Sequence, residues 1–151
     1  MNIKILHITD FHYRHNCRLF YSTARKLNNG FIKNNNYVSE ISERDSFNKN
    51  LFNYSKLDDL IINSVLNLNP DLIVIGHCSR INFKTFEKIK KINKNIKIIQ
   101  WFIDSLTKVG PDYLHNSNTF YKYFKILDHS FISTDVQAIQ VNKNDKNKRK
   151  K

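Results

Sequence analysis

Short apolar runs alternate along this chain with longer segments whose apolar residues recur at helical spacing. The runs are rich in Ile, Leu or Val, and polar residues follow them. Such runs are typical of strands, whereas an apolar spacing of three or four residues is typical of an amphipathic helix. The pattern predicts five strands, at residues 3–9, 37–41, 71–76, 96–102 and 129–133.

A helix is predicted after each of these strands. The spacing places helices at residues 19–32, 51–68 and 113–126, and a last one beginning at 135–141. Another follows the third strand, with Phe83, Phe86, Ile89 and Ile92 facing inward. Asn69-Pro70 ends the helix at 51–68, because the residue before a proline disfavours helical backbone.

Strands that alternate with helices specify βαβ units, a parallel sheet and right-handed crossovers. We therefore predict an α/β fold, a Rossmann-like three-layer parallel sheet of about five strands in the order 3-2-1-4-5, with helices on both faces. Residues 1–141 are expected to form this single domain. Residues 142–151 are a Lys/Asn run without apolar side chains and are predicted to be disordered.

Composition narrows the class of protein. The 151 residues carry a formal charge of +12, of which residues 142–151, with six Lys or Arg and one Asp, supply +5. Lys and Asn are abundant throughout and share A-rich codons, so we predict no specific nucleic-acid partner. The two cysteines, Cys17 and Cys78, fit a reducing compartment. The apolar runs are too short for a bilayer span or a signal peptide, so we expect a cytoplasmic protein without an integral membrane segment.

Polar side chains follow all five predicted strands, at the edge of the sheet where ligands bind in open α/β folds. The set is Asp10, His12 and Arg14 after strand one, Arg44 and Asp45 after strand two, His77 and Ser79 after strand three, Asp104 and Ser105 after strand four, and Thr134 and Asp135 after strand five. With strand one beside strand four, Asp10, His12 and Asp104 are expected next to the crevice. His77 is expected farther away, as part of a wall.

These residues also have structural interpretations. Asp10 and Asp104 suit helix caps or turns, and His77 suits a helix start or an anion contact. His7, inside a strand, suits the core. The chain has neither GxGxxG nor GxxxxGK[ST], which disfavours a dinucleotide-dependent dehydrogenase and a P-loop NTPase.

Asp10-x-His12 has the spacing that opens many metallophosphoesterases, in which both side chains bind a metal. A two-metal site needs further Asp, Asn and His ligands. The third predicted strand ends instead in Gly76-His77-Cys78, and the sequence contains no Asn-His pair. A metal-dependent phosphoesterase is therefore the second interpretation. A non-enzymatic basic module, whose tail contacts nucleic acid, is the third.

Several segments together resemble the N-terminal half of a group of bacterial GT-B glycosyltransferases related to the spore-maturation-type glycosyltransferases. They occur in the same order and at compatible spacing, from residue 1 to about residue 137. The segments are CRLFY at 17–21, LNNGFIKN at 27–34, SERD at 42–45, PDLIVIGH at 70–77, QWFID at 100–104 and FIST at 131–134. Cys17 stands where glycine is common in that family.

The resemblance implies that a sugar passes from a nucleotide-sugar donor to an acceptor in a cleft between two Rossmann-like domains. It implies no metal, no cofactor besides the nucleotide-sugar co-substrate, and a sugar acceptor bound by this domain. By position, Asp10 or His12 is the expected base for acceptor deprotonation, and the expected substrate-binding residues are Arg14, Arg44, His77, Asp104 and Thr134. The donor domain of that family has no counterpart in this sequence. A separate donor-binding domain or subunit is therefore expected, and the chain alone is expected to be inactive.

Overall fold

The computed structural model describes residues 2–49 and 53–135, in which strands and helices alternate as the sequence predicts. The strands are β1 (Lys4–Thr9), β2 (Tyr37–Ser42), β3 (Leu72–Ile75), β4 (Lys97–Phe102) and β5 (His129–Ile132). The α-helices are α1 (Thr23–Lys33), α2 (Glu43–Lys49), α3 (Tyr54–Leu68), α4 (Phe83–Ile92) and α5 (Tyr113–Tyr121). A 3₁₀ turn at Tyr13–His15 follows β1.

The five strands form one all-parallel sheet with helices on both faces, which confirms the α/β, Rossmann-like fold. Its strand order is 2-1-3-4-5, so the predicted order 3-2-1-4-5 is wrong. In register, Ile8 lies beside Ile75, and Ile75 lies beside Gln100. The order reverses between β1 and β3, and the crevice therefore lies between these two strands and not between β1 and β4.

Burial explains this strand order. Apolar and polar residues alternate in β2, and only its last two residues are buried, which suits an edge strand. The apolar run of β3 is almost fully buried, and it therefore lies inside the sheet between β1 and β4. Both orders satisfy right-handed crossovers, so the alternation of strands and helices did not discriminate between them.

Alternate residues of the strands face the two sides of the sheet. Leu6, Ile8, Ile73, Ile75 and Ile98 belong to one buried cluster, which also holds apolar side chains of α2, α3 and α4. The opposite face carries His7, whose ring contacts Asn28 of α1. The sheet is thus covered by α1 on one side and by α2–α4 on the other.

The helices begin and end where local side chains dictate. The helix predicted from residue 19 begins at Thr23, because the Ser22 side chain caps it by accepting a hydrogen bond from the Arg25 backbone N–H. Ile92, predicted to face inward, is the last residue of α4 and is 47% exposed, which corrects that prediction. Helix α5 ends at Tyr121, short of the predicted residue 126.

Two predictions concern residues that are not described. The helix predicted to begin at 135–141 lies outside the described residues from 136 onward, as does the predicted disordered tail at 142–151. Among residues 2–49 and 53–135, no helix combines the length and the apolar character that crossing a bilayer requires.

Candidate functional site

Asp10 directly follows β1 at the carboxyl edge of the sheet and is buried. Arg14 Nη1 and Nη2 each donate to one of its carboxylate oxygens, both at 2.8 Å. Desolvation opposes ionisation here, but the hydrogen bonds from Arg14 and from the His12 backbone prevail, and the pKa of Asp10 is lowered. Asp10 is therefore an ionised carboxylate held by a bidentate guanidinium.

Asp45, in the first turn of α2, fixes the loop after β1 from the other side. Its oxygens accept hydrogen bonds from the backbone N–H groups of Tyr13 and Arg14, at 3.0 and 3.1 Å. Arg14 Nη1 lies 3.1 Å from Asp45 Oδ1, and the Ser42 hydroxyl donates to Asp45 Oδ2. Arg14 thus connects two buried carboxylates, one directly after β1 and one in α2, which follows the neighbouring strand β2.

His12 lies between these groups in a left-handed backbone conformation with φ of 61°. Such backbone is uncommon for a residue with a side chain and is concentrated at functional sites. Its N–H donates to Asp10 Oδ1 at 3.0 Å, and its Nδ1 lies 3.2 Å from Asp10 Oδ2 without hydrogen-bond alignment. Burial lowers the pKa of His12 despite the attraction of Asp10. The ring is therefore neutral at pH 7 and able to accept a proton.

His77 and Asp104 form the other half of the site. His77 Nδ1 lies 2.9 Å from Asp104 Oδ2, and the Ile103 backbone N–H donates to His77 Nε2 at 3.3 Å. The ring stacks on Phe102, with centroids 4.5 Å apart and planes within 3°. Burial lowers the pKa of His77. His77 is therefore a neutral ring that donates from Nδ1 and accepts at Nε2.

Arg44, the second residue of α2, joins the two halves. Its Nε lies 3.6 Å from Asp10 Oδ2. Together with His77 and Asp104 it also borders a hollow at the carboxyl edge. The other side chains that line this hollow are Ser79, Phe102, His115, Asn116 and Thr119. Asp10, His12, Arg14, Arg44, His77 and Asp104 therefore lie in one continuous region, as the sequence predicts, although the strand order differs.

Thr134 has a different position. Its hydroxyl donates to the Asp104 carbonyl at 3.4 Å and accepts from the Leu106 N–H at 3.2 Å. It is not among the side chains that line the hollow. These contacts support the loop that carries Asp104, and they favour a positioning role over the predicted contact with substrate.

His77 is closer to the centre of the site than predicted. The prediction placed it in a distant wall because it assumed that β1 and β4 are neighbours. In the observed order β3 lies directly beside β1, so His77, which follows β3, lies at the crevice. Asp104 follows β4, one strand farther away, and reaches the site through its contact with His77.

Sequence reasoning missed a buried carboxylate, Glu43, which begins α2. Its Oε1 accepts hydrogen bonds from the backbone N–H groups of Ser79 and Arg80. Burial raises the pKa of Glu43. The side chain ties α2 to the loop after β3 and so places Arg44 beside His77. Its position directly after a strand was visible in the sequence, but a charged residue there is ordinarily exposed.

The α5 side chains of the hollow, His115, Asn116 and Thr119, were also missed. They lie in α5, several residues after the end of β4. The prediction considered only polar residues that directly follow a strand, and it therefore did not include them. Asn116 is buried, and its Nδ2 donates to the Ser105 and Pro111 carbonyls. It anchors α5 to the loop after β4.

The contacts of Asp10 bear on the metal-dependent phosphoesterase interpretation, which requires Asp10 and His12 to bind a metal. The Arg14 guanidinium occupies both oxygens of Asp10, where a metal would have to bind. Within the described part of the chain, no three His, Cys, Asp or Glu side chains converge in a way that would hold a metal ion. These positions favour acid–base chemistry over metal binding at this pair.

The site provides a neutral histidine, His77, oriented by the carboxylate of Asp104, and a partly exposed arginine, Arg44. These side chains border a hollow that also contains an aromatic ring and several hydroxyl and amide groups. It is suited to binding a polar ligand and to removing a proton from it. A scan against protein-family models and a search of curated proteins find no match to this chain.

Proposed function

We propose that this chain is the acceptor-binding half of a glycosyltransferase that transfers a sugar from a nucleotide-sugar donor. One observation carries the proposal: Arg44 joins the Asp10–His12 pair to a hollow bordered by His77 and Asp104, at the crevice of a Rossmann-like sheet. The segments that resemble GT-B glycosyltransferases contain Arg44, His77 and Asp104, whereas Asp10 and His12 precede the first of them.

In this proposal His12 is the base, and Asp10 is a positioning residue. The acceptor hydroxyl oxygen attacks the anomeric carbon of the donor, and its proton moves to His12 Nε2. The bond from the anomeric carbon to the nucleotide diphosphate breaks, and the diphosphate leaves with the electron pair. Because Asp10 holds the backbone and borders the ring of His12, it keeps the imidazole in place and stabilises the imidazolium that forms.

The hollow suits a saccharide acceptor. Asp104 is 49% exposed and offers a carboxylate oxygen to sugar hydroxyl groups, while Arg44, 38% exposed, offers donors. Ser79 and Thr119 add hydroxyl groups, and Phe102 supplies an apolar surface beside them. Binding sites for polar ligands combine apolar walls with a few convergent polar groups in this way.

The donor sugar nucleotide is assigned to a second domain or subunit, in keeping with the division of labour in GT-B enzymes. A bacterial setting is part of the proposal and rests on the resemblance alone. A cytoplasmic setting is also proposed, because the apolar runs are too short for a signal peptide and the two cysteines fit a reducing compartment. Transfer in this class needs no metal in the acceptor half, since cationic side chains and helix N-termini can stabilise the leaving diphosphate.

Calorimetry of the full chain tests this division. A panel of hexose, N-acetylhexosamine and uronic acid glycosides is titrated into the protein, followed by a panel of nucleotide sugars. At least one glycoside is expected to bind saturably with weak affinity, and Arg44→Met is expected to reduce that binding at least fivefold. Lys97→Met, at a mostly exposed lysine at the opposite end of β4, is the matched control and is expected to bind as the wild type does.

Two results would contradict the proposal. Tight, stoichiometric binding of a nucleotide sugar by this chain would show that the donor does not require another domain. Equal glycoside affinities of the wild type and Arg44→Met would show that the hollow is not the acceptor site. Manganese-stimulated cleavage of nitrophenyl phosphate, lost in His12→Ala, would instead support the phosphoesterase alternative.

A further inference from the structure

A continuous series of hydrogen bonds runs beneath the site, on the face of the sheet covered by α1. Trp101 Nε1 donates to His7 Nε2 at 3.2 Å, and His7 Nδ1 lies 3.2 Å from Asn28 Oδ1. Asn28 Nδ2 then donates to Glu40 Oε2 at 2.8 Å. The series connects β4, β1, α1 and β2, and none of these residues was assigned a role above.

The two ends of the series fix the direction of every hydrogen bond in it. The Trp101 indole is only a donor, and the ionised Glu40 carboxylate is only an acceptor. His7 Nε2 must therefore accept, which leaves the proton on Nδ1, where it is donated to Asn28 Oδ1. A second proton on His7 would have to occupy Nε2, where it would meet the indole N–H. Protonation of His7 thus breaks the bond to Trp101.

Each end of this series touches one half of the site. The Trp101 ring lies 5.3 Å from the His77 ring, centroid to centroid. At the other end, the Tyr13 hydroxyl donates to Glu40 Oε1, and Tyr13 lies between His12 and Arg14 in the loop after β1. The series therefore spans from the residue that packs on His77 to the turn that carries His12.

The surroundings of His7 keep it neutral. The residue is fully buried, and its ring makes edge contacts with Phe11 and Phe31. The charged groups nearest to it are Arg25 of α1 and Glu40 of β2, and they form an ion pair with each other at 2.8 Å. Burial, the largest effect, lowers the pKa of His7 to about 4, while Glu40 acts to raise this pKa and Arg25 acts to lower it.

We propose that His7 is an acid-sensitive positioning residue, whose neutral ring holds Trp101 and Asn28 together and thereby keeps the two halves of the site in register. Acidification places a proton on Nε2, releases the indole of Trp101, and loosens the packing of Trp101 against His77 while the sheet remains folded. The inference depends on the site geometry and not on which ligand the site binds.

The chain offers a direct probe, because Trp101 is its single tryptophan. The indole N–H cross-peak in a ¹H–¹⁵N spectrum and the indole fluorescence of the full chain are followed from pH 7.5 to pH 3.5, with far-UV circular dichroism recorded in parallel. In the wild type the indole signals are expected to change with a midpoint near the pKa of His7, about 4 and well below 6.5, before the dichroism changes.

Three variants show which histidine causes the pH-dependent change in the Trp101 indole signals. His7→Gln retains one donor and one acceptor but does not titrate, so its indole signals are expected to stay constant over this range. His77→Gln removes the other histidine beside Trp101 and is expected to keep the wild-type transition. His7→Phe is expected to shift the His77 ring resonances at pH 7.5, whereas His7→Gln leaves them near their wild-type positions.

The inference is overturned by any of three results. These are an unchanged transition in His7→Gln, a wild-type indole signal that stays constant down to pH 3.5, or an indole change that coincides with loss of the dichroism. Should His7→Phe fail to fold, the comparison of the wild type with His7→Gln decides alone. None of these measurements requires glycosyl transfer, so their failure is distinct from failure of the proposed function.

Discussion

His77 and Asp104 follow adjacent strands, β3 and β4, and their side chains meet with Nδ1 2.9 Å from Oδ2. The contact brings a carboxylate from the far side of the crevice to a histidine at its centre. Because the other ring nitrogen accepts from the Ile103 N–H, the tautomer of His77 is fixed. The pair orients one wall of the hollow and is the basis of the first prediction.

Asp104→Asn is expected to lower the pKa of His77 further. Burial already lowers it, and the negative charge of Asp104 acts in the opposite direction. The ring resonances of His77 in a pH titration measure this change. Asp104 is about half exposed, so its replacement should alter the free energy of unfolding by only about 0.5 kcal/mol or less. An unchanged or raised pKa of His77 would show that the pair does not form in solution.

Arg14→Ala is expected to destabilise the protein by about 2 to 3 kcal/mol at pH 7, since it leaves the buried carboxylates of Asp10 and Asp45 without their guanidinium. Urea unfolding measures the loss. Arg18→Ala, at an exposed arginine four residues along the chain, is the control and should change stability by less than about 0.5 kcal/mol.

The effect of Arg14 should also depend on pH. The pKa values of Asp10 and Asp45 are lowered from 3.8 in the folded protein, so their stabilising contribution is present above pH 3.8 and is lost as the pH falls through the lower folded values. The difference in the free energy of unfolding between the wild type and Arg14→Ala should therefore become smaller below pH 3.8. A difference that stays constant to pH 2.5 would mean that the carboxylates are not ionised partners of Arg14.

Gly76→Ala is expected to lower the free energy of unfolding by about 1 to 3 kcal/mol and to change the fluorescence of Trp101. A Cβ at this position would lie 2.2 Å from Thr9 Oγ1 and 2.7 Å from Trp101 Cζ2, so these side chains would have to move. Gly30→Ala is the control, because nothing lies within 4 Å of its added Cβ, and it is expected to stabilise α1 by about 0.5 to 1 kcal/mol. Equal effects of the two substitutions would contradict the close packing of Trp101 on Gly76.

Asp128→Asn tests an ion pair far from the site, at the amino end of β5. Asp128 accepts from Lys90 Nζ and from the Ile98 N–H, both at 2.8 Å, and its pKa is lowered from 3.8 to about 2. The substitution should cost about 1 to 2 kcal/mol at pH 7, less than the roughly 2.4 kcal/mol that the shift alone implies, because solvent screens the pair. The cost should disappear as the pH falls from 3.8 to 2, and the titration of His77 should remain unchanged.

The strands were predictable because residues 3–9, 71–76 and 96–102 contain short apolar runs and residues 37–41 alternate between apolar and polar, and both patterns are typical of strands. The sequence did not predict the order of the strands, since the alternation of strands and helices is the same in both orders. The decisive signal lay in the contrast between the alternating run at 37–41 and the continuous run at 71–76, which places the first at an edge and the second inside.

Side-chain partners were less predictable than strands. Helix α2 is only seven residues long and carries no helical apolar repeat, so it was missed together with the burial of Glu43 and Asp45. The contact of His77 with Asp104 depends on which strands are neighbours and could not be inferred while the strand order was wrong. By contrast, Asp10, His12 and Arg14 follow one strand in succession, and their proximity required only that β1 end at Thr9.

The most direct test of the proposed site follows the ring resonances of His12 and His77 while a glycoside that binds this chain is titrated into all 151 residues of it. Both rings are expected to shift saturably with the same dissociation constant, and the Asp128→Asn control is expected to show the same shifts. Binding that leaves both histidines unperturbed, with shifts confined to residues away from the carboxyl edge of the sheet, would contradict it.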